Sequence, residues 1–324
     1  MVLETNGSLG VLVGFDGSDH ATRAMHWSAA EAFRRDLPIT VITAFTVPRA
    51  IAGYTDSVTE VTGDTLARRG AEDILNGARE LLKDFPGQTQ FHVEYGDAAG
   101  VLVAHSSNAE LAVVGARGRG GFIGRILGSV ASALPSHTAC PTVVVDKNYE
   151  LTTGDDRWLS ADERPVTVGM DSSRGAKLAA LKAAEIASSH HVPLRLVMGV
   201  PPMDGALLWY PELGPREEEH NQRLRELEDR LQVTVRWLSG HFENLVISCS
   251  AADGLPVEVL REESQTSQLT VVGTRGRGGL ASALLGSTSS TLLMHAEGPV
   301  MIVPEAEDPR LPDDEHADTH TTAH

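Results

Sequence analysis

The chain has 324 residues, of which 41% are hydrophobic and 22% charged, as expected for a globular protein of about two domains. Its formal net charge of −17 repels a polyanion, so we expect no nucleic-acid partner. Two cysteines are too few for a repeated disulfide framework, and no apolar run approaches the ~20 residues that span a bilayer. We therefore expect a cytoplasmic protein with no membrane partner.

The sequence contains two copies of one unit. VLVGFDGS, from Val11, matches VTVGMDSS, from Val166, at an offset of 155, and VVGARGRGG, from Val113, matches VVGTRGRGG, from Val271, at an offset of 158. Repeats this far apart indicate duplicated domains, because solenoid repeats run about 20–50 residues. We expect a first domain at 1–147, a linker at 148–163, a second domain at 164–304 and a disordered acidic tail at 305–324.

In the first copy, apolar runs alternate with helical patterns. The run at 9–15 is typical of a buried parallel strand, and the helix after it can be capped by Ser18 or Asp19. Small residues recur along this helix at steps of three and four and predict a face that packs closely on a sheet: Ala21, Ala24, Met25, Ser28, Ala29 and Ala32. Further strands are expected at 39–45, 90–95, 111–115 and 142–146, with helices around 74–85 and at 100–107.

The second copy repeats this order of elements. Alternating strands and helices predict a parallel sheet covered on both faces, with right-handed crossovers. The expected fold class is therefore α/β, with two tandem five-stranded parallel-sheet domains and strand order 3-2-1-4-5 in each. Pro135 lies in the helix after the first glycine loop and lacks an N–H, so that helix should be short or kinked.

Each predicted fourth strand runs into the pattern G-x-x-G, nine residues, G-S. The pattern is not a P-loop, because no Lys precedes Ser129 or Ser287, and it is not a dinucleotide fingerprint, because the third glycine position holds Ile123. We expect the glycines to take positive φ and to bring backbone N–H groups close to an anion. The two serines should open a helix whose N-terminus adds donors. A loop that serves only turning and packing remains the alternative.

The two loops supply a set of candidate phosphate-binding residues. In the first copy these are Gly115, Arg117, Gly118, Arg119, Gly120, Gly121, Arg125, Gly128 and Ser129. In the second copy they are Gly273, Arg275, Gly276, Arg277, Gly278, Gly279, Gly286 and Ser287. Ala283 stands where the first copy has Arg125, so phosphate contacts are expected to be weaker in the second copy.

Asp16 and Asp171 end the predicted first strands of the two copies. With strand order 3-2-1-4-5, the first and fourth strands are neighbours where the order reverses, which is where open parallel sheets bind ligands. A carboxylate there suits a ribose hydroxyl or an adenine amino group. The alternative is a structural cap at the start of the following helix.

These features resemble the universal stress protein family, in its ATP-binding, tandem-domain form. The resemblance rests on the VGxD strand ends, the spaced glycine loops, and Cys140-Pro141 or Gly298-Pro299 before the last strands. It implies an adenine nucleotide alpha hydrolase-like fold that binds ATP, and leaves open whether Mg²⁺ accompanies the nucleotide. It also implies a nucleoside contact near Gly14, Asp16, Ala44, Gly169, Asp171 and Gly199, and adds Val130 and Thr288 to the phosphate site.

The resemblance further implies that the two halves pack together as an internal pseudo-dimer. The predicted fifth strands, 142–146 and 300–304, are apolar sheet edges, and an unpaired edge needs a partner or a cover. Pairing them with each other would satisfy both. Association of whole chains and the identity of any protein partner are left open.

The sequence favours holding ATP over hydrolysing it. Phosphoryl transfer normally needs a positioned base and a metal-neutralised triphosphate, and the two copies share no further Glu, His or Asp near the loop, so we assign no catalytic residue. The first hypothesis is an ATP-binding regulatory protein of the stress response. A slow ATPase or phosphoryl- or adenylyl-transferring enzyme is the second, and a scaffold with structural nucleotide is the third.

His316, His320 and His324 recur every four residues in the tail, but poor helix formers surround them, so we assign no metal site.

Overall fold

The computed structural model describes residues 8–47, 57–119, 126–151, 158, 162–201, 217–276 and 285–312. Several residues predicted to bind phosphate lie outside this set: Gly120, Gly121, Arg125, Arg277, Gly278 and Gly279. The three tail histidines lie outside it as well.

The first half alternates strands and helices along the chain. Its elements are β1 (Val11–Gly14), α1 (Asp19–Arg34), β2 (Ile39–Phe45), α2 (Ser57–Leu81), β3 (Thr89–Tyr95), α3 (Ala98–Ser106), β4 (Leu111–Gly115), α4 (Ser129–Ala133) and β5 (Thr142–Val145). A 3₁₀ turn at Leu134–Ser136 follows α4.

The second half repeats the series. Its elements are β6 (Val166–Gly169), α5 (Arg174–His190), β7 (Leu194–Val200), α6 (Glu217–Ser239), β8 (Ile247–Asp253), α7 (Pro256–Thr266), β9 (Leu269–Gly273), α8 (Ser287–His295) and β10 (Val300–Val303). Among the helices in the described ranges, none is both long and apolar enough to cross a membrane.

The predicted fold class is confirmed. The strands lie in the order β3-β2-β1-β4-β5-β10-β9-β6-β7-β8, so each half has the order 3-2-1-4-5 and is parallel internally. The two sheets are continuous, because β5 and β10 pair antiparallel with Met301 opposite Val143 and Val300 opposite Val144. One ten-stranded sheet therefore runs through both halves.

The apolar core also crosses the boundary between the halves. One layer, on the side of α1, α2, α5 and α6, joins Val11 and Val143 to Met301 and Val166, all at most 1% exposed. The opposite layer joins Leu12 and Val144 to Val300 and Ile302. Alternate residues of each strand supply the two layers, as the two-residue period of a strand requires.

The predicted small-residue face of α1 is buried against the sheet, with Ala24, Met25, Ala29 and Ala32 at 0% exposure. Ser18 caps this helix, because its hydroxyl oxygen accepts the N–H of Ala21 at 3.2 Å. Small side chains let the helix axis approach the strands closely, which places the start of α1 against the end of β4.

Proline shortens α4 as predicted. The helix covers only Ser129–Ala133, whereas α8, its counterpart without proline, runs from Ser287 to His295. Pro135 lies in the 3₁₀ turn that follows, where its missing N–H leaves no gap in an α-helical ladder.

Residues 305–312 pack against the second half, so the prediction of a disordered tail beginning at 305 is wrong for this segment. Arg310 Nη2 lies 2.6 Å from Glu185 Oε1 in α5, and the Arg310 carbonyl accepts the indole N–H of Trp237 in α6 at 3.1 Å. The Leu311 side chain is 9% exposed. The acidic composition did not predict this packing because a single Arg and a single Leu provide it.

The pairing of β5 with β10 makes a prediction for amide hydrogen exchange. Amides at 143–145 and 301–303 lie in the middle of the sheet, so we expect protection comparable to that of 11–13, at any protein concentration. Rapid exchange at β5 and β10 in a folded sample would contradict the pairing. Protection that rises with concentration would assign it to separate chains.

Candidate functional site

Two cavities lie at the carboxyl ends of the strands, one in each half. The first, of about 300 Å³, lies between the ends of β1 and β4, and the second, of about 560 Å³, lies between those of β6 and β9. In each half the strand order reverses between these two strands, so the cavities occupy the switch points where open parallel sheets bind ligands.

The predicted site residues of the described chain line these cavities. The first is bordered by Gly14, Asp16, Ala44, Gly115, Arg117, Gly118, Arg119, Gly128, Ser129 and Val130. The second is bordered by Gly169, Asp171, Gly199, Gly273, Arg275, Gly276, Gly286, Ser287 and Thr288. The described lining residues of each cavity all come from its own half.

The two aspartates hold the turn between the strand and the next helix. Asp16 Oδ1 accepts the N–H of Ser18 at 3.0 Å, and Oδ2 accepts the N–H of Arg119, in the glycine loop, also at 3.0 Å. Asp171 Oδ1 accepts both the N–H and the hydroxyl of Ser173, at 3.0 and 2.6 Å. The helix caps are the serines themselves, so neither aspartate is an N-cap.

The glycine loop lies directly against the aspartate. A Cβ built on Gly118 would lie 2.6 Å from Asp16 Oδ2, and one on Gly276 would overlap the Asp171 carboxylate. None of the motif glycines in the described loops has positive φ, so that expectation is wrong for them. Glycine is required here because no side chain fits between the loop and the carboxylate.

Each loop returns to the strand from which it left. The Gly128 N–H donates to the Ala116 carbonyl and the Gly286 N–H donates to the Thr274 carbonyl, both at 2.8 Å. Gly128 and Gly286 are then the N-caps of α4 and α8, and no side chain caps either helix. Backbone N–H groups of the first helical turns therefore border each cavity without a capping side chain.

The apolar walls of the cavities were missed in the sequence. Leu102 of α3 and Ile42 of β2 line the first, and Leu260 of α7 and Val197 of β7 line the second. Leu102 and Leu260 are related by the same offset of 158 as the glycine loops, and that repeat could have identified them. These walls offer an apolar surface of the kind that a planar ring requires.

The two sites differ in one titratable side chain. In the first, Arg117 and Arg119 accompany His20, whose pKa is lowered by burial and by the nearby charges of Arg117 and Arg23. Gly175 occupies the position of His20 in the second copy, at the offset of 155. There, Arg275 lines the cavity and its buried Nε has no hydrogen-bond partner among the described residues.

The described residues contain no group of three or more His, Cys, Asp or Glu placed to hold a metal ion. Burial raises the pKa of the Cys140 thiol to about 12, so this cysteine is an inert core residue.

Comparison with known proteins identifies the family. The sequence model of the universal stress protein family matches residues 10–146 and again 163–304. The chain belongs to the universal stress protein family. Universal stress protein Rv2623 of Mycobacterium tuberculosis is 30% identical over 314 residues, covering 93% of this chain and 98% of the relative. A universal stress protein of Mycolicibacterium smegmatis is 31% identical over 299 residues, covering 91% and 96%.

The fold of this family member is also shared with solved structures. The crystal structure of a universal stress protein from Archaeoglobus fulgidus aligns with a TM-score of 0.65 and 17% identity, covering 92% of this chain and 98% of the other. At this identity the likeness concerns the fold, and it extends over nearly the whole length of that structure.

The turn after the aspartate gives a prediction about stability. Gly17 has φ of +78°, and Ser172, its counterpart, is held at φ of +69°, a region that costs a residue with a Cβ about 1 kcal/mol or more. We expect Ser172→Gly to raise the free energy of unfolding and Gly17→Ser to lower it, each by about 1 kcal/mol. Urea titration measures both, and destabilisation by Ser172→Gly would show that the serine makes a compensating contact.

Proposed function

We propose that this universal stress protein is an ATP-binding regulatory protein of the stress response, with one nucleotide held in each half. The observation that carries the proposal is the pair of cavities at the two switch points, each bordered by an Asp, a glycine loop and an uncapped helix start. In each cavity, the backbone N–H groups at one end suit an anion, and the apolar walls at the other end suit an uncharged ring.

The phosphate end would be the glycine loop and the turn after it. Main-chain N–H groups at Ser129 and Val130, and at Ser287 and Thr288, border the cavities, and anions favour such groups. Arg117, Arg119 and Arg275 would add positive charge, and Mg²⁺ would accompany the triphosphate where its charge is not neutralised by the protein. Residues Gly120, Gly121, Arg125, Arg277, Gly278 and Gly279 are assigned to the same end on the motif alone.

The nucleoside end would lie between the apolar walls and the aspartate. Backbone groups of Ala44 and Gly199 border the cavities at the ends of β2 and β7, where side chains too small to read a base leave recognition to the main chain. Asp16 and Asp171 would accept hydrogen bonds from ribose hydroxyls, because each carboxylate oxygen has two lone pairs and the backbone N–H groups use one on each Asp16 oxygen.

Holding the nucleotide is favoured over turning it over. Asp16 is occupied by two backbone N–H groups, and the lowered pKa of His20 leaves its imidazole neutral at pH 7. Among the described residues that line each cavity, one is acidic, whereas phosphoryl transfer needs both a metal and a base at the phosphate end. We further propose that the protein works in the cytoplasm and that its two halves act as an internal pseudo-dimer.

The first test is the identity of the nucleotide. Protein purified without added ligand is denatured, and the released small molecules are identified by mass spectrometry. ATP or ADP at up to two per chain supports the proposal. A protein that releases no nucleotide and does not bind added ATP would instead support a scaffold whose sites are structural.

Gly118→Ala combined with Gly276→Ala should abolish ATP binding in calorimetric titration. The added Cβ atoms meet the aspartate carboxylates and move the loops away from the cavities. Gly70→Ala with Gly77→Ala is the matched control, because both lie in α2 with no atom within 4 Å of the added Cβ. Undiminished affinity in the loop variant of a folded protein would remove the loops from the site.

Replacing Asp16 and Asp171 by Ala should weaken ATP by about tenfold or more, and inorganic triphosphate less, since a hydrogen bond to a charged group contributes about 1.5–3 kcal/mol. Some loss of triphosphate affinity is expected because Asp16 also holds the N–H of Arg119. Competition titration compares the two ligands. Equal losses would show that the aspartates act through the loop alone.

A further inference from the structure

A buried hydrogen-bond network joins the two halves away from both cavities. The Glu31 side chain of α1 is 0% exposed, and its Oε2 lies 2.6 Å from Nε2 of His190, the last residue of α5. The His190 side chain is 5% exposed, and its Nδ1 lies 2.7 Å from Oε1 of Gln268. One residue of the first half therefore meets two of the second in a site closed to water.

The orientation of the Gln268 amide is fixed by its other contacts. Its Nε2 donates to the backbone carbonyls of Asp162 and Arg164, at 2.9 and 2.6 Å. Carbonyl oxygens only accept, so the amide nitrogen must face them and the amide oxygen must face His190. Nδ1 of His190 therefore carries a hydrogen, and the network also ties down the end of the linker.

The other ring nitrogen of His190 faces a carboxylate. Burial by itself raises the pKa of Glu31, but the hydrogen bond and charge of His190, with Arg35 and Arg34, outweigh it and bring the pKa below its ordinary value. At 2.6 Å a hydrogen must lie between Nε2 and Oε2, because otherwise two lone pairs would face each other. Arg35 Nη1 lies 3.5 Å from the other carboxylate oxygen and favours the ionised carboxylate, which places the shared hydrogen on His190 and makes the ring an imidazolium.

We propose that Glu31, His190 and Gln268 form a proton-dependent latch between the two halves and the linker, which loosens when His190 loses its second proton. Without that proton, an imidazole lone pair faces a buried carboxylate, and a buried charge that loses its partner is strongly destabilising. The latch lies between the carboxyl-terminal ends of α1 and α5, the helices that begin at the two cavities.

The latch is not a contact inherited from the duplicated unit. At the offset of 155, Ile186 replaces Glu31 in the second copy and Arg35 replaces His190 in the first. The two mirror positions thus hold an apolar residue and a permanently charged one. A protonation-dependent pair occurs here because the two copies differ.

The other charged and titratable groups that face the pair come from α1 and from the linker side. Arg35 Nη1 lies 3.5 Å from Glu31 Oε1, and Arg34 acts on Glu31 from the same helix. On the linker side, Asp162 and Arg164 pair at 2.6 Å, and burial raises the pKa of Tyr149 to about 12. His191 is exposed to solvent and is unchanged in every variant compared below.

The sign of the pH dependence follows from proton counting. An unfolded chain releases the second histidine proton near pH 6.5. The latched fold binds one proton more, so its stability falls as the pH rises, and the unfolding constant increases by up to tenfold per pH unit above about pH 6.5. At acid pH the sign is opposite. Because the pKa of Glu31 is lowered in the fold, its ionised carboxylate stabilises the fold at pH values above the ordinary pKa of 4.5, and this stabilisation is lost as the pH falls through the folded pKa.

Glu31→Gln is the variant that separates a latch from a plain contact. A glutamine amide donates to the unprotonated Nε2, so the network is complete without the second proton. We expect hydrogen exchange at Thr142–Val145 and Val300–Val303, corrected for intrinsic rates, to accelerate severalfold from pH 6 to 8.5 in wild type and to stay level in Glu31→Gln. Parallel profiles in the two proteins would overturn the proposal.

Glu94→Gln is the matched control. It replaces the carboxylate of a second glutamate–histidine pair among the described residues, Glu94 Oε1 to His105 Nε2 at 2.7 Å, which lies within the first half. This variant should keep the wild-type pH profile at the boundary between the halves. Loss of that profile in Glu94→Gln would attribute the effect to any buried pair and overturn the assignment to His190.

Nitrogen-15 NMR of wild-type protein labelled at histidine tests the protonation state without relying on a stable variant. At pH 7 we expect both ring nitrogens of His190 to carry hydrogens, with the signals assigned by their absence in His190→Gln. A single protonated ring nitrogen at pH 7 would overturn the proposal.

Discussion

The antiparallel pairing of β5 with β10 is the interaction on which the rest of the structure depends. A parallel five-stranded unit leaves its last strand as an open, apolar edge, and pairing the two edges removes both at once. The pairing also makes the two core layers continuous, so the halves share apolar contacts instead of burying separate cores. Because β5 and β10 are antiparallel, the strands of the two halves point in opposite directions. The two cavities, at the carboxyl ends of these strands, therefore open in opposite directions along the strand axis.

Duplication has left two sites that share a frame and differ in detail. Both keep the aspartate, the glycine that lies on its carboxylate and the uncapped helix start, since each of these depends on the others for space or hydrogen bonds. The two sites differ at positions outside these shared features. Ser172 stands in the place of Gly17 and changes the backbone strain, and Gly175 stands in the place of His20 and removes a titratable imidazole, while the turn keeps its shape.

The aspartates connect the proposed function with the fold. Asp16 accepts one N–H from its own turn and one from the glycine loop, so the residue assigned to the nucleoside also positions the residues assigned to the phosphates. A ligand that engages this carboxylate would act on the loop as well. This arrangement suits the proposed response to occupancy, because one carboxylate would contact both the ligand and the loop.

The sequence by itself determined the fold class, the duplication, most strand positions, the small-residue face of α1 and the short α4 at Pro135. These follow from apolar runs, helical spacing and proline chemistry, which act within a few residues of the chain. The apolar runs and the helical spacing occur in both copies of the unit.

The tertiary structure decided the features that join distant residues. Arg119 and Asp16 are 103 positions apart, and His190 and Glu31 are 159 apart. The glycine at 118 is explained by a carboxylate that the loop pattern does not contain, so its φ was predicted wrongly. The docking of 305–312 likewise depends on Glu185 and Trp237. A chain pattern records local preference, whereas burial of a charge or exclusion of a Cβ depends on which distant atoms the fold brings within a few ångströms.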